Sequence, residues 1–500
     1  MESASLTGRI RSASARLPRL RTLELVGLGA LLAVTLVGFA LWPSYPNYDS
    51  VYSLVWGQEL ISGSEPSFEA FRAPTQHPLA IAVAILLWPL GEDADRALVL
   101  LTLLSFVAVV VAVYRLGRDA FAPLVGLAAA LVMLSRFDFP YLAVRAYIDI
   151  PFMALVLWAA VLELERPRRG GVVWLLLGAA GLLRPEAWAL LGLYWLWMSF
   201  GGRLAAAEPP SWVERIRWAA YAAAPAIVWV LIDLAVTGDP LYSQNATSET
   251  VAQLDRGEEL AELPGALAVS MTELVKPPVI LAGLAGIALA VALVPRRALM
   301  PGIVLLAGVG TFLAIGAAGF AVIDRYLIVA AAAFCVFAGF AIAGFSAVER
   351  FRTLRLVWAL GAALIIVAVI VFTFTRTLAL GEFNADLSFR SESNQSLERV
   401  LDSPAVQERF EAGCGPVTTP THKIVPDVRW LLDAEEDEVI SRSDPAYRPG
   451  GGELALYAQG RRTLDKQAFD GDTPATTQLP AAGLEPIARD RYYAVWTGCE

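Results

Sequence analysis

Apolar runs recur along the first three quarters of the chain, and arginines cluster in alternate loops between them. A bilayer-spanning helix needs about 20 predominantly apolar residues. A chain with many such runs can bury them only as a bundle of membrane helices. The runs fall at 23–41, 97–113, 123–134, 150–162, 172–183, 187–200, 219–236, 278–294, 302–320, 326–345 and 356–374. Hydrophobic residues make up 56% of the 500 positions, above the share a soluble domain carries. The fold class expected is mainly α, a polytopic helical membrane protein with a small α+β domain after the last run.

Charge gives the expected topology. Arg9, Arg11, Arg16, Arg19 and Arg21 precede the first run, which has no convincing small-residue cleavage pattern after it. It reads as a retained helix with a cytoplasmic basic N-terminus, residues 1–22. Arg115 and Arg118 form the next basic cluster, followed by Arg166, Arg168 and Arg169, then Arg203, Arg215 and Arg217, then Arg296 and Arg297, then Arg350, Arg352 and Arg355. Placing all of them in the cytoplasm gives about eleven spans within a membrane domain at 23–376. That count requires the short apolar run 78–90 to lie in the interface, inside a long first outer loop, 42–96. The second outer loop is 136–149.

The extracytoplasmic piece, 377–500, is long enough for a small domain. Residues 393–412 read as an amphipathic helix, 454–457 and 492–496 as strands, and Gly450-Gly451-Gly452 as a loop. Cys335 falls inside a run and reads as a small core residue. Cys414 and Cys499 both fall in the outer domain, where a disulfide between them can form. The formal charge of −9, with no basic face carrying interleaved aromatics, excludes nucleic acid as a partner. The acidic run 433–438 reads as a solvated face.

Two carboxylates stand out because an acid at a membrane face is costly unless solvated, paired or functional. Asp49 follows Tyr45-Pro46-Asn47-Tyr48, and Asp149 follows Arg145-Ala146-Tyr147-Ile148. A glycosyl transfer needs a base for the acceptor hydroxyl and cations for a phosphate leaving group. Arg145, Arg184 and Arg325 lie on the same outer side, and guanidinium forks suit phosphate oxygens. Each residue also has a structural reading. Asp49 can cap a helix after a Pro-Asn turn, His77 can be an interfacial residue before Pro78, Arg325 can snorkel at a helix end, and Glu186 can pair with Arg184.

These motifs resemble those of the membrane-embedded GT-C glycosyltransferases, in particular the protein mannosyltransferase and aminoarabinose transferase group. The resemblance rests on the early Asp49, on Gln76-His77-Pro78-Leu79, on Trp88-Pro89-Leu90-Gly91, and on Tyr114-Arg115-Leu116-Gly117-Arg118. It continues through Asp149-Ile150-Pro151, Leu183-Arg184-Pro185-Glu186 and Asp324-Arg325-Tyr326-Leu327. It implies an inverting transfer of a sugar from a polyprenyl-phosphate donor to an extracytoplasmic glycan, lipid or protein, in the cell membrane. Asp49 would be the catalytic base, and Asp149 would support the acceptor site or, in some members, a divalent metal. His77, Arg145, Arg184 and Arg325 would hold the donor phosphate, and Tyr52, Gln76, Glu186 and Tyr326 would line the substrate site. The chain has Asp49-Ser50 where many relatives have adjacent acids, which argues against a two-acid or metal-assisted mechanism and leaves no cofactor assigned.

A transporter or flippase for lipid-linked sugars or other envelope precursors is the alternative. It predicts ionisable groups near mid-bilayer and repeat symmetry. Asp233 is the main acid inside a run, and no repeat is visible. A third reading is an assembly protein whose outer domain binds polysaccharide.

Overall fold

The computed structural model describes residues 3–203, 209–253, 260–348, 352–375, 377–448, 452–467, 480 and 483–499. Arg350, Gly450 and Gly451, which enter the topology and loop expectations above, lie outside the described residues.

The chain is a multi-pass helical membrane protein with a small mixed domain at its C-terminal end. Among the described residues six helices are long and apolar enough to cross a bilayer: Arg21–Leu41, Pro78–Ala120, Trp212–Thr237, Pro295–Ala317, Asp324–Ser346 and Arg355–Thr373. Two bent pairs raise the number to at most 8, Pro123–Leu134 with Asp138–Val144 (66°) and Leu263–Val275 with Pro277–Leu293 (107°). The expected count of about eleven is not reached. The missing three are Asp149–Glu165, Gly171–Gly181 and Glu186–Phe200, of 17, 11 and 15 residues. At 1.5 Å per residue each is shorter than the bilayer core.

Local chemistry sets the helix ends. Pro78, Pro123, Pro277 and Pro295 each open a helix, where a missing N–H costs nothing. Ser211 and Glu214 form a reciprocal capping box. The 78–90 run becomes a ten-residue helix, Pro78–Leu87, then a 3-10 turn, Trp88–Asp93. Gly91, at φ 58°, kinks the chain there before the long helix Ala94–Ala120 begins. Residues 42–96 also hold the helix Tyr48–Ser62.

The helix Ile328–Ala343 runs through the middle of the bundle and is buried almost end to end, Cys335 included. Small residues on its neighbours allow that. Gly286 faces the Phe337 carbonyl, Gly308 faces Ala330, and Gly339 faces the Val125 and Ala129 backbone, each with no room for a Cβ. Association inside a membrane depends on such close approach, because lipid is as apolar as the side chains.

The C-terminal domain packs helices Thr377–Leu401, Pro404–Glu411, Val425–Leu432 and Arg461–Gln467 around a sheet. Its strands are β1 (Val417–Thr419), β2 (Val439–Ser441), β3 (Leu454–Ala458), β4 (Glu485–Arg489) and β5 (Tyr493–Thr497), in the order β2-β1-β3-β5-β4. β1 pairs in parallel with β2 and β3, while β5 runs antiparallel to β3 and β4. The helix expected at 393–412 is two helices. Ser403 is extended (ψ 137°) ahead of Pro404, as the residue before proline prefers. Leu397, Val406, Val428, Leu454, Leu456 and Val495 form the domain core. Cys414 and Cys499 are disulfide-bonded, with Cα atoms 6.0 Å apart across 85 residues of chain.

Two stability outcomes follow. Replacing both Cys414 and Cys499 by Ser should cost the C-terminal domain about 2–4 kcal/mol, read by denaturant unfolding with and without reductant. Gly286→Val drives a branched side chain into the Phe337 carbonyl and should cost at least about 1–3 kcal/mol, read as a lower Tm in detergent.

Candidate functional site

The site starts with a cap. Asn47, not Asp49, caps the helix Tyr48–Ser62, its side-chain oxygen accepting from the backbone N–H of Asp49 (2.9 Å) and Ser50 (3.3 Å). That leaves the Asp49 carboxylate uncommitted by the cap. The same asparagine donates through its backbone N–H (2.8 Å) and Nδ2 (3.1 Å) to the Arg145 carbonyl. Ser50 Oγ donates to the Ala146 carbonyl at 2.6 Å. Ala146 holds φ 53° to present it. The two acidic loops are therefore stitched together backbone to side chain, which brings Asp49 and Asp149 into one neighbourhood.

Asp149 is wholly buried. One of its oxygens accepts from Arg184 and the other from Arg325 Nη1 at 3.3 Å. Arg325 Nη1 also lies 3.8 Å from Asp49 Oδ2, so one guanidinium bridges both acids. Arg184 completes its pairing with Glu186 Oε1 at 2.6 Å. Aromatic faces back these cations: Tyr326 lies 4.6 Å and Phe152 5.5 Å from the Arg184 carbon, and Tyr147 lies 5.0 Å from that of Arg325. A buried charge holds its place only when paired in this way.

Asp49 differs from Asp149 in access. Its side chain is 26% exposed, and it lines a cavity of about 600 Å³ between the membrane helices and the C-terminal domain. Tyr45, Arg145, Tyr147, Gln76, Arg325 and Tyr326 share that wall. Burial raises the Asp49 carboxyl above the usual aspartate range, and the Arg325 guanidinium offsets part of the rise. Arg145 is caged by the rings of Tyr45, Tyr141 and Tyr147 at 4.7, 5.9 and 5.8 Å. Among the described residues it has no carboxylate partner, and its Nε has no hydrogen bond. On the far side of Arg325 a second cavity, about 900 Å³, is walled by Arg136, Asp138, Lys276, Phe372 and Phe383.

Several candidate residues sit elsewhere. Tyr52 is fully buried, packed between Tyr48 and Trp56, and does not line the cavity, because it points into the aromatic core of its helix. Glu186 faces Arg184 rather than the cavity, holding the Arg184-Pro185 turn. Asp149 is sealed from the cavity by the arginines it neutralises. His77 ends the loop before Pro78 with its ring edge-on to Trp229 at 5.9 Å. Burial, aided by Arg184, pushes its pKa down to about 3, so it is a neutral imidazole and not a phosphate cation. Its Nδ1 has no partner among the described residues. Gln76 lines the cavity but donates to Asp233 Oδ1 at 3.1 Å. Asp233 also accepts from Ser243 N–H (3.1 Å) and Oγ (2.8 Å), so the in-span acid serves as a structural tie.

A divalent metal does not fit this arrangement. A guanidinium stands between the two acids, and among the described residues no group of three His, Cys, Asp or Glu side chains converges on one point. Sequence reasoning missed the wall that the C-terminal domain supplies: His422, Lys423, Asp427, Thr463 and Tyr493. The rarity of histidine, with two in the chain, is a signal that could have found His422.

No protein-family model matches the chain, and no curated protein matches it in sequence. Solved structures do match. ArnT from Cupriavidus metallidurans, in the apo state, superposes over 95% of this chain and 98% of its own, with a TM-score of 0.54 at 14% identity. The oligosaccharyltransferase of Archaeoglobus fulgidus, tethered to an acceptor peptide, covers 85% of this chain and 64% of its own, with a TM-score of 0.50 at 13% identity. The chain shares the fold of these two structures. In it the bridged acid pair sits where the segments carrying Asp49 and Asp149 meet the C-terminal domain.

The acid pair predicts an asymmetry in stability. Asp149→Ala removes the buried carboxylate that two arginines share and should cost about 3–5 kcal/mol. Asp49→Ala, at a partly exposed position, should cost less than about 1 kcal/mol. Thermal unfolding of the purified variants reads both.

Proposed function

We propose that the protein is an inverting glycosyltransferase of the cell membrane. It moves a sugar from a polyprenyl-phosphate donor to a glycan, lipid or protein acceptor outside the cytoplasm. The observation that carries the reading is the pairing, in one cavity, of an accessible carboxylate with a buried arginine that has no acid of its own. Asp49 is the general base. Arg145 and Arg325 receive the leaving phosphate.

The chemistry balances without a metal. The acceptor hydroxyl gives its proton to Asp49 as its oxygen bonds the anomeric carbon. The bond from that carbon to the phosphate oxygen breaks on the opposite face. The electron pair leaves with the phosphate, whose charge is met by preorganised guanidiniums. Asp149, sealed and doubly paired, positions Arg325 and does not touch substrate. The fold likeness to an oligosaccharyltransferase solved with a tethered acceptor peptide supports transfer to an acceptor. The reading places the N-terminus in the cytoplasm and the C-terminal domain outside, so that the cavity faces the envelope; that needs an odd number of crossings, and hence that one or all three of the short helices Asp149–Glu165, Gly171–Gly181 and Glu186–Phe200 cross as well. A transport reading needs a free titrating acid within the spans, and the acid it would use, Asp233, is tied by three hydrogen bonds.

The test is incubation of the purified chain with a panel of radiolabelled decaprenyl-phosphate sugars, scoring hydrolysis and transfer. Asp49→Asn should lower kcat by about 10²–10⁴-fold while the protein still binds decaprenyl phosphate. Full activity in that variant removes the base. Because Asp49 must be ionised and burial raises its pKa, activity should fall as pH drops, with the acid limb above the ordinary aspartate range. Arg325→Gln removes the cation that holds that pKa down, so the limb should move to higher pH.

A further inference from the structure

The parallel half of the C-terminal sheet has the order β2-β1-β3. The chain therefore leaves β1 toward one neighbour and later returns to the other. In such sheets the crevice at the carboxyl ends of the strands, where the order reverses, is the place where ligands bind. Here that crevice faces the membrane domain. The segment after β1 supplies His422, Lys423 and Asp427, and the segment after β3 supplies Thr463, all to the wall of the cavity that holds Asp49.

The helix carrying Asp427, Val425–Leu432, is fixed against the membrane domain. Two residues along it, Arg429 is 1% exposed and pairs with Glu59 of the helix Tyr48–Ser62. Arg429 also donates from Nη1 to Ser67 Oγ at 2.7 Å and from Nε to the Ala434 carbonyl at 3.3 Å. The His422 ring meets Tyr48 edge-on at 5.9 Å. Asp427 is thus set rigidly, yet among the described residues its carboxyl makes no ion pair and no hydrogen bond to another residue. Asp49 and Asp427 both act electrostatically on the Tyr48 phenol, so the two carboxyls share one neighbourhood.

Carboxyls in this protein otherwise have a visible task at this site. Asp149 holds arginines, Glu59 holds Arg429 and Asp233 ties a loop. A partly buried acid that lines a cavity and bonds no other residue is costly unless a ligand completes it. Phosphate cannot complete the ionised form, since the two anions repel. A hydroxyl or amine can. We propose that Asp427 binds the acceptor, taking a hydrogen bond from a sugar hydroxyl or amino group, so that the C-terminal domain forms the acceptor half of the active site. Burial pushes its pKa up to about 7, so near neutrality the carboxyl can donate as well as accept. Tyr48, Tyr242 and Tyr493 stand in the same wall.

The inference rests on the glycosyltransferase reading, and one experiment separates the two. The full chain in nanodiscs is given radiolabelled decaprenyl-phosphate sugars, with or without a total envelope extract of the source cells as acceptor pool. Donor hydrolysis by water and transfer to extract are scored separately. Asp427→Asn should hydrolyse donor and bind decaprenyl phosphate as the unaltered chain does. Its transfer should drop at least about tenfold and recover as the extract is concentrated, with Asp427→Glu intermediate. Equal transfer by Asp427→Asn and the unaltered chain overturns the inference alone. Parallel loss of hydrolysis and transfer also overturns it, since the residue would then serve the donor step or the fold. An unaltered chain that neither hydrolyses nor transfers any donor overturns the glycosyltransferase reading, and the inference with it.

Discussion

A carboxylate with no access to water, Asp149, is the fixed point of the structure. Its two oxygens are taken by guanidiniums from two distant parts of the chain, Arg184 and Arg325. Ionised groups leave water only when their partners replace it. The short helix beginning at Asp149, the Arg184-Pro185-Glu186 turn and the turn before Ile328–Ala343 are therefore drawn to one point. That last helix is the buried axis of the bundle. Its small-residue contacts with Gly286 and Gly308 set how near the surrounding helices come. The electrostatic knot at its head decides where the outer loops must go.

The same knot divides labour between two acids that look alike in sequence. Arg325 is shared, closer to Asp149 at 3.3 Å than to Asp49 at 3.8 Å. The nearer acid is sealed, and the farther one keeps an open side and a raised pKa. Two carboxyls whose surroundings push them toward different roles are a recurrent arrangement of acid–base sites. Here the difference comes from burial rather than residue type. Arg325 stands in the walls of both cavities, so a charge arriving on either side alters its hold on Asp49.

Legibility followed the range of the interaction. Apolar period and length revealed the membrane helices, and charge at the rim revealed Asp49 and Asp149, because both signals are local. The count of about eleven spans is not reached by helix length, because Asp149–Glu165, Gly171–Gly181 and Glu186–Phe200 are apolar but short. Of the residues that the resemblance placed in the substrate site, Gln76 lines the cavity while bonding an in-span acid, and Tyr52 faces an aromatic core. Nothing in the sequence tells which side of a helix a tyrosine will take when both sides are buried. The strands at 454–457 and 492–496 were visible as short apolar, aromatic-bearing runs. The role of the segment between β1 and β2 was not, since it depends on which way the finished sheet faces.

That direction is set by one more buried ion pair. Arg429 crosses from the C-terminal domain to Glu59 and Ser67 on the first outer loop. An isolated pair of this kind adds little net stability, because desolvation offsets most of the attraction. Its effect is on geometry. Removing either partner strands a charge, so every alternative orientation of the domain carries that penalty. The sheet is thereby held with the carboxyl ends of β1 and β3 over the acid pair, and the tail becomes a wall of the cavity rather than a tethered appendage. A loosely hinged domain would leave Asp49 open to bulk water, where burial could no longer raise its pKa. The closed cavity around Asp49 therefore depends on a contact between two segments some 370 residues apart in the chain.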